Sequence, residues 1–587
     1  MNLTPNERIA GILTPLFALR SEADLGIGDL AALRQFIDWS RKLGFQLVQL
    51  LPINETGGDN SPYNAISSRA IDPTTLELAP GTPGDLSERD FTEVTAEFHL
   101  LALRRGRVKY ERVKPLKKKL LQRAFDAFLA RVEADPSANA PFAAFCTAEQ
   151  SWLADYTLFR VLMEQNGDRE TWDTWGPAHA EIGAARSSLD SLGETERAEF
   201  EVRRAFFSYV QWIAQQQWRA VKAYAETRGV ALMGDIPFGI SYYSADVFSQ
   251  PEHFVLDWSG GAPPEPYFKD DAFTQKWGQN WGIPLYRWDR MRERNFDWWR
   301  QRVHGVREIF HLFRIDHILG FYRIYAFPWR PVRNAEILPL GWEEMRTLTS
   351  GRDPQFAPRP DEGWENCEAN RREGEEYLRV ILEEAGPTRV VGEDLGTVPD
   401  YVRPSLRSLG IAGFKIPQWE NSPDQRPIPG AAYERMSVAT FATHDHQPVR
   451  ALWEEAWGPT ASGQARHDLA KMSEFAGIAS PNEQTDFTRE FYPGIFDALF
   501  RSESWVALVM ITDLLGRKER FNVPGTAANS NWSRRLHTTM AKLGGGRAAQ
   551  HQLQLIRDLL EKNGRLPARP GSSRPGGMTI RASASRR

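Results

Sequence analysis

Eight short apolar runs, most of them separated by segments with helical periodicity, restrict more than any other feature how this chain can fold. The runs lie at residues 45–52, 75–78, 230–236, 309–316, 389–393, 413–417, 438–443 and 506–512. Strands that alternate with helices form a parallel sheet. The number and order of the runs predict a closed (β/α)8 TIM barrel, although an open, doubly wound sheet fits the same alternation.

The longer segments between these runs predict inserted subdomains that are mainly helical. Residues 85–225 are charged, helix-periodic and too long for a simple connection, so they predict a helical insertion. Smaller insertions are expected at about 245–300 and 329–385, which makes residues 1–563 the catalytic barrel. Residues 564–587 are rich in Arg, Pro, Gly and Ser, so they predict a disordered basic tail. We therefore expect no C-terminal β-sandwich, and no loss of stability when residues 565–587 are removed.

Composition narrows the classes of function. The net charge is only −4 over 587 residues, so neither nucleic acid nor a membrane surface is expected as a partner. The two cysteines, Cys146 and Cys367, lie far apart, which argues against a disulfide framework and favours a cytoplasmic location. We expect no signal peptide, and no run reaches the roughly 18 apolar residues that a membrane span needs.

Three of the apolar runs end abruptly in carboxylates. They are Arg314-Ile315-Asp316-His317, Gly392-Glu393-Asp394 and Thr443-His444-Asp445. Each motif alone is ordinarily a salt bridge, a capping turn or a surface pair. In a barrel, however, the carboxyl ends of all strands meet at one face, where active sites lie. Several carboxylates at that face indicate chemistry on glycosidic bonds.

The residue types also suggest a division of labour. Cleavage with retention needs a carboxylate nucleophile and a carboxylic acid, placed about 5–5.5 Å apart. Arg314 lies two residues before Asp316, hence on the same side of a strand, and would keep that carboxylate ionised as a nucleophile requires. Glu393 would instead hold a proton near neutral pH. Asp394 points the other way along the strand, which suits a structural hydrogen-bond acceptor. His444 and its neighbouring aspartate can bind sugar hydroxyls.

Metal binding and Ser-His-Asp hydrolysis are two alternative kinds of chemistry for this sequence. Hard oxygen and nitrogen ligands suit Mg²⁺, Mn²⁺ or Zn²⁺; the candidate ligands are Asp316, His317, Glu393, His444, Asp445 and His446. A Ser-His-Asp hydrolase fits poorly, because no Gly-x-Ser-x-Gly elbow is present where one is expected. We expect no metal or organic cofactor, since protonation alone can activate the leaving oxygen.

Motifs spread over residues 10–535 resemble the amylomaltase family of 4-α-glucanotransferases, also called disproportionating enzymes or glycoside hydrolase family 77. They lie at residues 26–30, 61–63, 211–218, 234–238, 244–248, 278–286, 314–317, 392–396, 443–445 and 522–526. The run Gly278-Gln279-Asn280-Trp281-Gly282-Ile283-Pro284-Leu285-Tyr286 is especially specific. The resemblance implies a (β/α)8 barrel with inserted subdomains.

The resemblance also implies a role for each candidate residue. Asp316 would be the nucleophile, Glu393 the general acid/base, and Asp445 the carboxylate that stabilises the transition state. The residues expected to bind substrate are Arg314, Asp235 and His444 at the cleavage point, and Tyr63, Gln279, Trp281, Trp419 and Asn522 in neighbouring subsites. The implied partners are α-1,4-glucans, maltooligosaccharides and glucose. The implied reaction is transfer of a glucan segment to the 4-hydroxyl of another glucan or glucose.

The sequence departs from the family pattern in three places and leaves two rival functions open. The segment from Asp316 to Glu393 is longer than expected, the continuation 445–448 is unusual, and Thr512 occupies a position where glutamine is expected. One rival is an α-glucan hydrolase that uses the same carboxylates. The other is a catalytically silent glucan-binding protein. The carboxylate present in each of the three motifs argues against a catalytically silent binding protein.

Overall fold

The structure is a computed structural model that describes residues 3–264, 271–459, 461–524 and 530–567. Over this part of the chain, the strands are β1 (Ile9–Leu13), β2 (Leu47–Gln49), β3 (Ala231–Ile236), β4 (Phe254–Ala262), β5 (Gln279–Tyr286), β6 (Leu312–Ile315), β7 (Ile324–Phe327), β8 (Gln355–Ala357), β9 (Arg389–Gly392), β10 (Gly413–Lys415), β11 (Ser437–Ala439) and β12 (Val506–Met510).

Helices surround these strands. They are α1 (Leu30–Leu43), α2 (Glu88–Ala96), α3 (Leu100–Leu103), α4 (Tyr110–Ala134), α5 (Ala140–Ala148), α6 (Gln150–Gln165), α7 (Ile182–Asp190), α8 (Glu194–Arg228), α9 (Ala245–Ser249), α10 (Ala272–Lys276), α11 (Trp288–Glu293), α12 (Asp297–Ile309), α13 (Asn334–Ile337), α14 (Trp342–Leu348), α15 (Gly363–Ala385), α16 (Val402–Ser408), α17 (Val449–Trp457), α18 (Gly463–Ala476), α19 (Tyr492–Arg501), α20 (Ile511–Leu514) and α21 (Arg547–Lys562). In the described residues, no helix is long and apolar enough to cross a membrane.

Eight parallel strands form a barrel, as the sequence predicts. Their order is β10-β11-β12-β1-β2-β3-β6-β9. The N–H of Gly392 donates to the carbonyl of Ala412 (2.8 Å), which joins β9 to the segment before β10 and closes the sheet. The strands are almost wholly buried because helices cover the barrel, so their side chains form one continuous apolar core.

Two of the strand predictions need correction. The run at 75–78 is not a strand, because Pro73 has no N–H to pair and the Asp72 carboxylate accepts the N–H of Thr74 (2.8 Å), which fixes a 3₁₀ turn over Pro73–Thr75. The true first strand is β1, which pairs with β2 and β12. Its central residue, Gly11, is a weak strand former, but a Cβ there would lie 3.0–3.1 Å from side chains of both neighbouring strands.

The insertions are only partly helical. Helices α2–α8 occupy the range predicted for the helical insertion, whereas β5, β4, β7 and β8 form a separate antiparallel sheet between β3 and β9. This sheet was not predicted. Register shifts interrupt the pairing of β4 with β5, so their side chains do not keep the simple alternation by which a strand is recognised. The division of the chain into domains remains a prediction.

The predicted disordered tail begins at residue 564, but the next residue belongs to the folded core. Arg565 is fully buried, and its guanidinium donates to the carbonyls of Ile9 (2.7 Å), Phe500 (2.6 Å), Ser502 (2.8 Å) and Ser504 (3.0 Å). An arginine-rich composition predicts disorder, but this arginine satisfies backbone acceptors at the start of β1 and near β12. Removal of residues 565–587 is therefore expected to destabilise the barrel. Residues 568–587 lie outside the described part of the chain.

Candidate active site

Strand register places the predicted carboxylates side by side at the carboxyl ends of β3, β6 and β9. Asp235 on β3 pairs with Arg314 on β6, so their side chains share a face. The ladder continues beyond the strands, because the N–H of Asp316 donates to Ile236 O (2.9 Å) and the N–H of Glu393 donates to Ile315 O (2.9 Å). The backbone thus brings together residues from three distant parts of the sequence.

Arg314 holds two carboxylates at once. One guanidinium nitrogen lies 2.6 Å from Asp235 Oδ2 and the other 2.6 Å from Asp316 Oδ1. Arg314 is buried, whereas 29% of the Asp316 side chain is exposed and open to a substrate. A charge-assisted bond of this kind is short and strong, so it holds the Asp316 carboxylate in place. Burial raises the pKa of Asp235 to about 6, against the opposing charge of Arg314.

The environment of Glu393 favours the protonated form of its carboxyl group. Burial raises its pKa to about 8, with further contributions from the charges of Asp316 and Asp394. Arg314 acts against this rise, as does the N–H of His317, which donates to Glu393 Oε2 (2.9 Å). A carboxyl group with this pKa carries a proton at neutral pH, which is the property that a general acid needs.

Asp394 is a structural residue, as its position after Glu393 indicates. Its carboxylate accepts the N–H of Phe414 (2.6 Å) and binds the guanidinium of Arg403 (3.1 Å). It therefore faces β10 and α16 rather than the substrate side of the barrel.

Asp445 completes the set of carboxylates. Although burial alone would raise its pKa, the nearby charge of His444 and the amide of Asn522, which donates to Asp445 Oδ1 (2.6 Å), bring that pKa well below its usual range. Nε2 of His444 lies 3.0 Å from Asp445 Oδ2. Arg520 also binds the backbone carbonyl of Asp445 (2.6 Å). The site thus contains the ionised carboxylate of Asp445 as well as the protonated carboxyl group of Glu393.

Aromatic rings connect these groups. The Tyr63 hydroxyl donates to Asp235 Oδ2 (2.7 Å), and its ring stacks on His444 with centroids 5.0 Å apart and planes 7° apart. Trp532 lies against both rings, at 5.8 and 5.9 Å. Trp532 is not among the residues predicted from the sequence, in which nothing distinguishes it from the other tryptophans. Gly525 and Thr526 of the motif at residues 522–526 lie outside the described residues.

Two tryptophans predicted to line subsites are exposed beside the catalytic motifs. Trp281 is 38% exposed, Trp419 48%. The Trp281 ring meets the ring of His317 edge to face at 4.8 Å, and its indole N–H donates to Gln279 Oε1 (3.1 Å). Trp419 meets His446 in the same geometry at 4.8 Å. Flat apolar rings in such places can pack against pyranose rings.

All the residues predicted for the site are thus connected through direct contacts or through immediate sequence neighbours. Over the described residues, no group of three or more His, Cys, Asp or Glu side chains is arranged to hold a metal ion. The geometry therefore gives no support to the metal-binding alternative.

Comparison with known proteins agrees with this geometry. The family model described as 4-alpha-glucanotransferase matches residues 14–540. This chain belongs to that family. It is 31% identical to the 4-alpha-glucanotransferase of Chlamydia caviae over 546 residues, which cover 91% of each chain. It is 30% identical to that of Thermus thermophilus over 526 residues, which cover 87% of this chain and 91% of the relative.

Solved structures share the fold. The amylomaltase of Streptococcus agalactiae in complex with acarbose superposes with a TM-score of 0.70 at 22% identity, covering 96% of this chain and all of that one. The amylomaltase of Corynebacterium glutamicum gives a TM-score of 0.71 at 20% identity, covering 96% and 76%. The predicted family and barrel are therefore confirmed, and the chain is a glucanotransferase.

Proposed function

We propose that this enzyme transfers a segment of a 1,4-α-D-glucan to the 4-hydroxyl of another glucan or of glucose, by double displacement with retention. The observation that carries the proposal is the contrast between two neighbouring carboxyl groups. Asp316 is bound to Arg314 with 29% of its side chain exposed, whereas the raised pKa of Glu393, about 8, keeps that carboxyl group protonated at neutral pH. One is prepared to attack and the other to donate a proton.

In the first step, Glu393 protonates the glycosidic oxygen while the Asp316 carboxylate attacks the anomeric carbon. The glycosidic bond breaks, the leaving glucan takes the proton, and a β-linked glycosyl ester forms on Asp316. Asp445, held ionised by His444 and Asn522, stabilises the positive charge that develops on the sugar ring.

In the second step, Glu393 removes the proton from an incoming 4-hydroxyl, whose oxygen attacks the same anomeric carbon. The ester bond to Asp316 breaks and a new α-1,4 bond forms, so both catalytic residues return to their starting states. Arg314, Asp235 and His444 would bind the sugar at the cleavage point. Tyr63, Gln279, Trp281, Trp419 and Asn522 would contact neighbouring units. Maltooligosaccharides and glucose are the proposed substrates, and the cytoplasm is the proposed location.

The nearest alternative is a hydrolase, in which water takes the glycosyl group from Asp316. Transfer exceeds hydrolysis when bound sugar excludes water from the intermediate. The aromatic rings beside the carboxylates favour transfer, because they offer apolar surfaces on which an acceptor sugar can displace water.

Incubation with maltotriose, followed by thin-layer chromatography, tests the proposal. A ladder of longer maltooligosaccharides together with glucose is expected. Maltose and glucose alone would mean hydrolysis, and unchanged maltotriose would favour a silent binding protein. The same assay after exhaustive chelation is expected to give the same ladder. Loss of activity that a divalent ion restores would favour the metal-binding alternative.

A further inference from the structure

Arg330 connects two insertions that are distant in sequence. It follows β7 in the small antiparallel sheet, whereas its partner Asp173 belongs to the predicted helical insertion, with the two side chains 3.0 Å apart. The same guanidinium donates to the hydroxyl of Tyr243 (3.2 Å) and lies 4.0 Å from the ring centre of Tyr242. A planar cation that is both stacked and paired in this way has a defined orientation.

The aromatic surface under Arg330 is itself fixed. The ring of Trp172 stacks on Tyr242 with centroids 5.1 Å apart and planes 11° apart. The Trp172 indole N–H also donates to the carbonyl of Tyr242 (3.1 Å). The loop after β3, the helical insertion and the small sheet therefore meet at one point.

The residues that flank Arg330 contact the residues that flank Trp281. The Asn280 amide donates to the carbonyl of Trp329 (3.1 Å). On the other side, Gly282 lies against Pro331 so closely that a Cβ there would be 3.1 Å from the proline ring. Displacement of the segment around Arg330 would therefore move the backbone on both sides of the tryptophan.

Trp281 in turn contacts the catalytic centre. Its ring packs against His317, whose backbone N–H donates to Glu393 Oε2 (2.9 Å). His317 has a φ of 46°, a left-handed conformation that is uncommon for a residue other than glycine and persists only where surrounding contacts impose it. A continuous chain of contacts thus runs from the helical insertion to the acid/base.

We propose that Arg330 is a positioning residue, which clamps the small sheet to the helical insertion and so places Trp281 for acceptor binding. This inference rests on the proposed function. It gives a role to part of the long segment between Asp316 and Glu393, which no sequence motif explained. Arg330 and Asp173 keep about a quarter of their side chains exposed (27% and 26%), so water screens their ion pair and its share in overall stability is small.

The test is a double-mutant cycle on the full-length enzyme. Arg330→Ala, Trp281→Ala and the double variant are assayed for kcat and KM on maltotriose and for the ratio of transfer to hydrolysis. We expect Arg330→Ala to lower kcat/KM about tenfold, within the range that small misplacements of a substrate contact produce. We expect the double variant to be no worse than Trp281→Ala, because both changes act through one ring. Arg330→Lys keeps the charge opposite Asp173 but not the planar stack, so its loss is intermediate.

Arg333 provides the matched control, since it lies on the same segment and, within the described residues, forms its ion pair with the nearby Glu336. Arg333→Ala should match the parent in kinetics and in melting temperature. Additive losses in the double variant would overturn the proposal, as would a transfer ratio unchanged in Arg330→Ala. Failure of the proposed function is distinguishable, because the parent itself would then form no transfer products.

Discussion

Arg314 and Arg565 are both buried, but they lie at opposite ends of the barrel and have opposite surroundings. Arg314, at the carboxyl end, faces carboxylates; although burial acts to lower its pKa, the charges of Asp235 and Asp316 raise it well above the usual value. Arg565, at the amino end, faces backbone carbonyls, and burial lowers its pKa to about 9. The first arginine orders carboxylates for which we propose catalytic and binding roles, and the second satisfies backbone carbonyls of the fold.

This contrast predicts that the carboxyl end of the barrel contributes mainly to activity and the amino end mainly to stability. Side chains at the carboxyl end carry the charges that the proposed mechanism uses, so substitutions there should reduce activity more than stability. Contacts at the amino end satisfy backbone acceptors where β1 meets β12, so substitutions there should do the reverse. The predictions below run from the largest expected effect to the smallest.

Asp316→Asn should lower kcat/KM for maltotriose disproportionation by about 10⁴-fold or more, because it removes the attacking charge but keeps the shape of the side chain. Its melting temperature should stay close to that of the parent, as measured by differential scanning calorimetry. An active variant would show that the nucleophile is another residue. A large fall in melting temperature would show that this end of the barrel is not specialised for chemistry.

Glu393→Gln should lose about 10²–10⁴-fold in activity on maltooligosaccharides, since their leaving oxygen needs a proton. It should still form the intermediate from α-glucosyl fluoride, because fluoride leaves without such help. Mass spectrometry of peptic fragments should detect a glycosyl adduct on Asp316 in this variant, and Asp316→Asn should form none. Identical behaviour of the two variants, with no adduct in either, would contradict the division of roles.

Transfer activity should fall as pH rises through the pKa of Glu393, about 8. The sign follows from the raised pKa: the protonated acid is the active form, so activity is present below this pKa and is lost above it. Asp394, whose pKa burial raises to about 6, is already ionised over this range. Above the pKa of Glu393, kcat/KM on maltotriose should drop about tenfold per pH unit. A profile that stays flat to about pH 10 would exclude Glu393 as the acid.

Arg565→Met should destabilise the fold by about 3 kcal/mol or more, because several buried carbonyls lose their donor. Two truncated chains provide a matched comparison. One ends at residue 567 and keeps Arg565, and the other ends at residue 564 and lacks it. Thermal unfolding should show a lower melting temperature only for the shorter chain, while kcat/KM of the folded protein stays unchanged in both. Equal melting temperatures would mean that the amino end of the barrel does not need this arginine.

The barrel and the grouping of its charged strand ends could be predicted from sequence, whereas the catalytic and binding roles of these residues remain predictions. Asp316, Glu393 and Asp445 each end an apolar run, and that local pattern survives in the structure because parallel strands bring their carboxyl ends together. Arg314 was identified because strand alternation puts it on the same side as Asp316. Trp532 could not be assigned, because only tertiary packing against Tyr63 and His444 distinguishes it from other tryptophans.

The errors in the fold have physical causes. Strand β1 was overlooked because Gly11 has low strand propensity, although close packing against its neighbours requires a residue without a side chain. The small sheet was overlooked because register shifts disrupt the alternation in β4 and β5. Composition assigns Arg565 to a disordered tail, because composition cannot show that backbone carbonyls of the folded barrel accept hydrogen bonds from its guanidinium.

The pairing of β1 with β12 has a consequence for how the protein is made. One side of β1 finds its partner only after residues 506–510 have left the ribosome, some five hundred residues after β1 itself. At synthesis rates of about 5–20 residues per second this takes roughly half a minute or more, during which an apolar strand edge remains open. Such an edge invites pairing with other nascent chains.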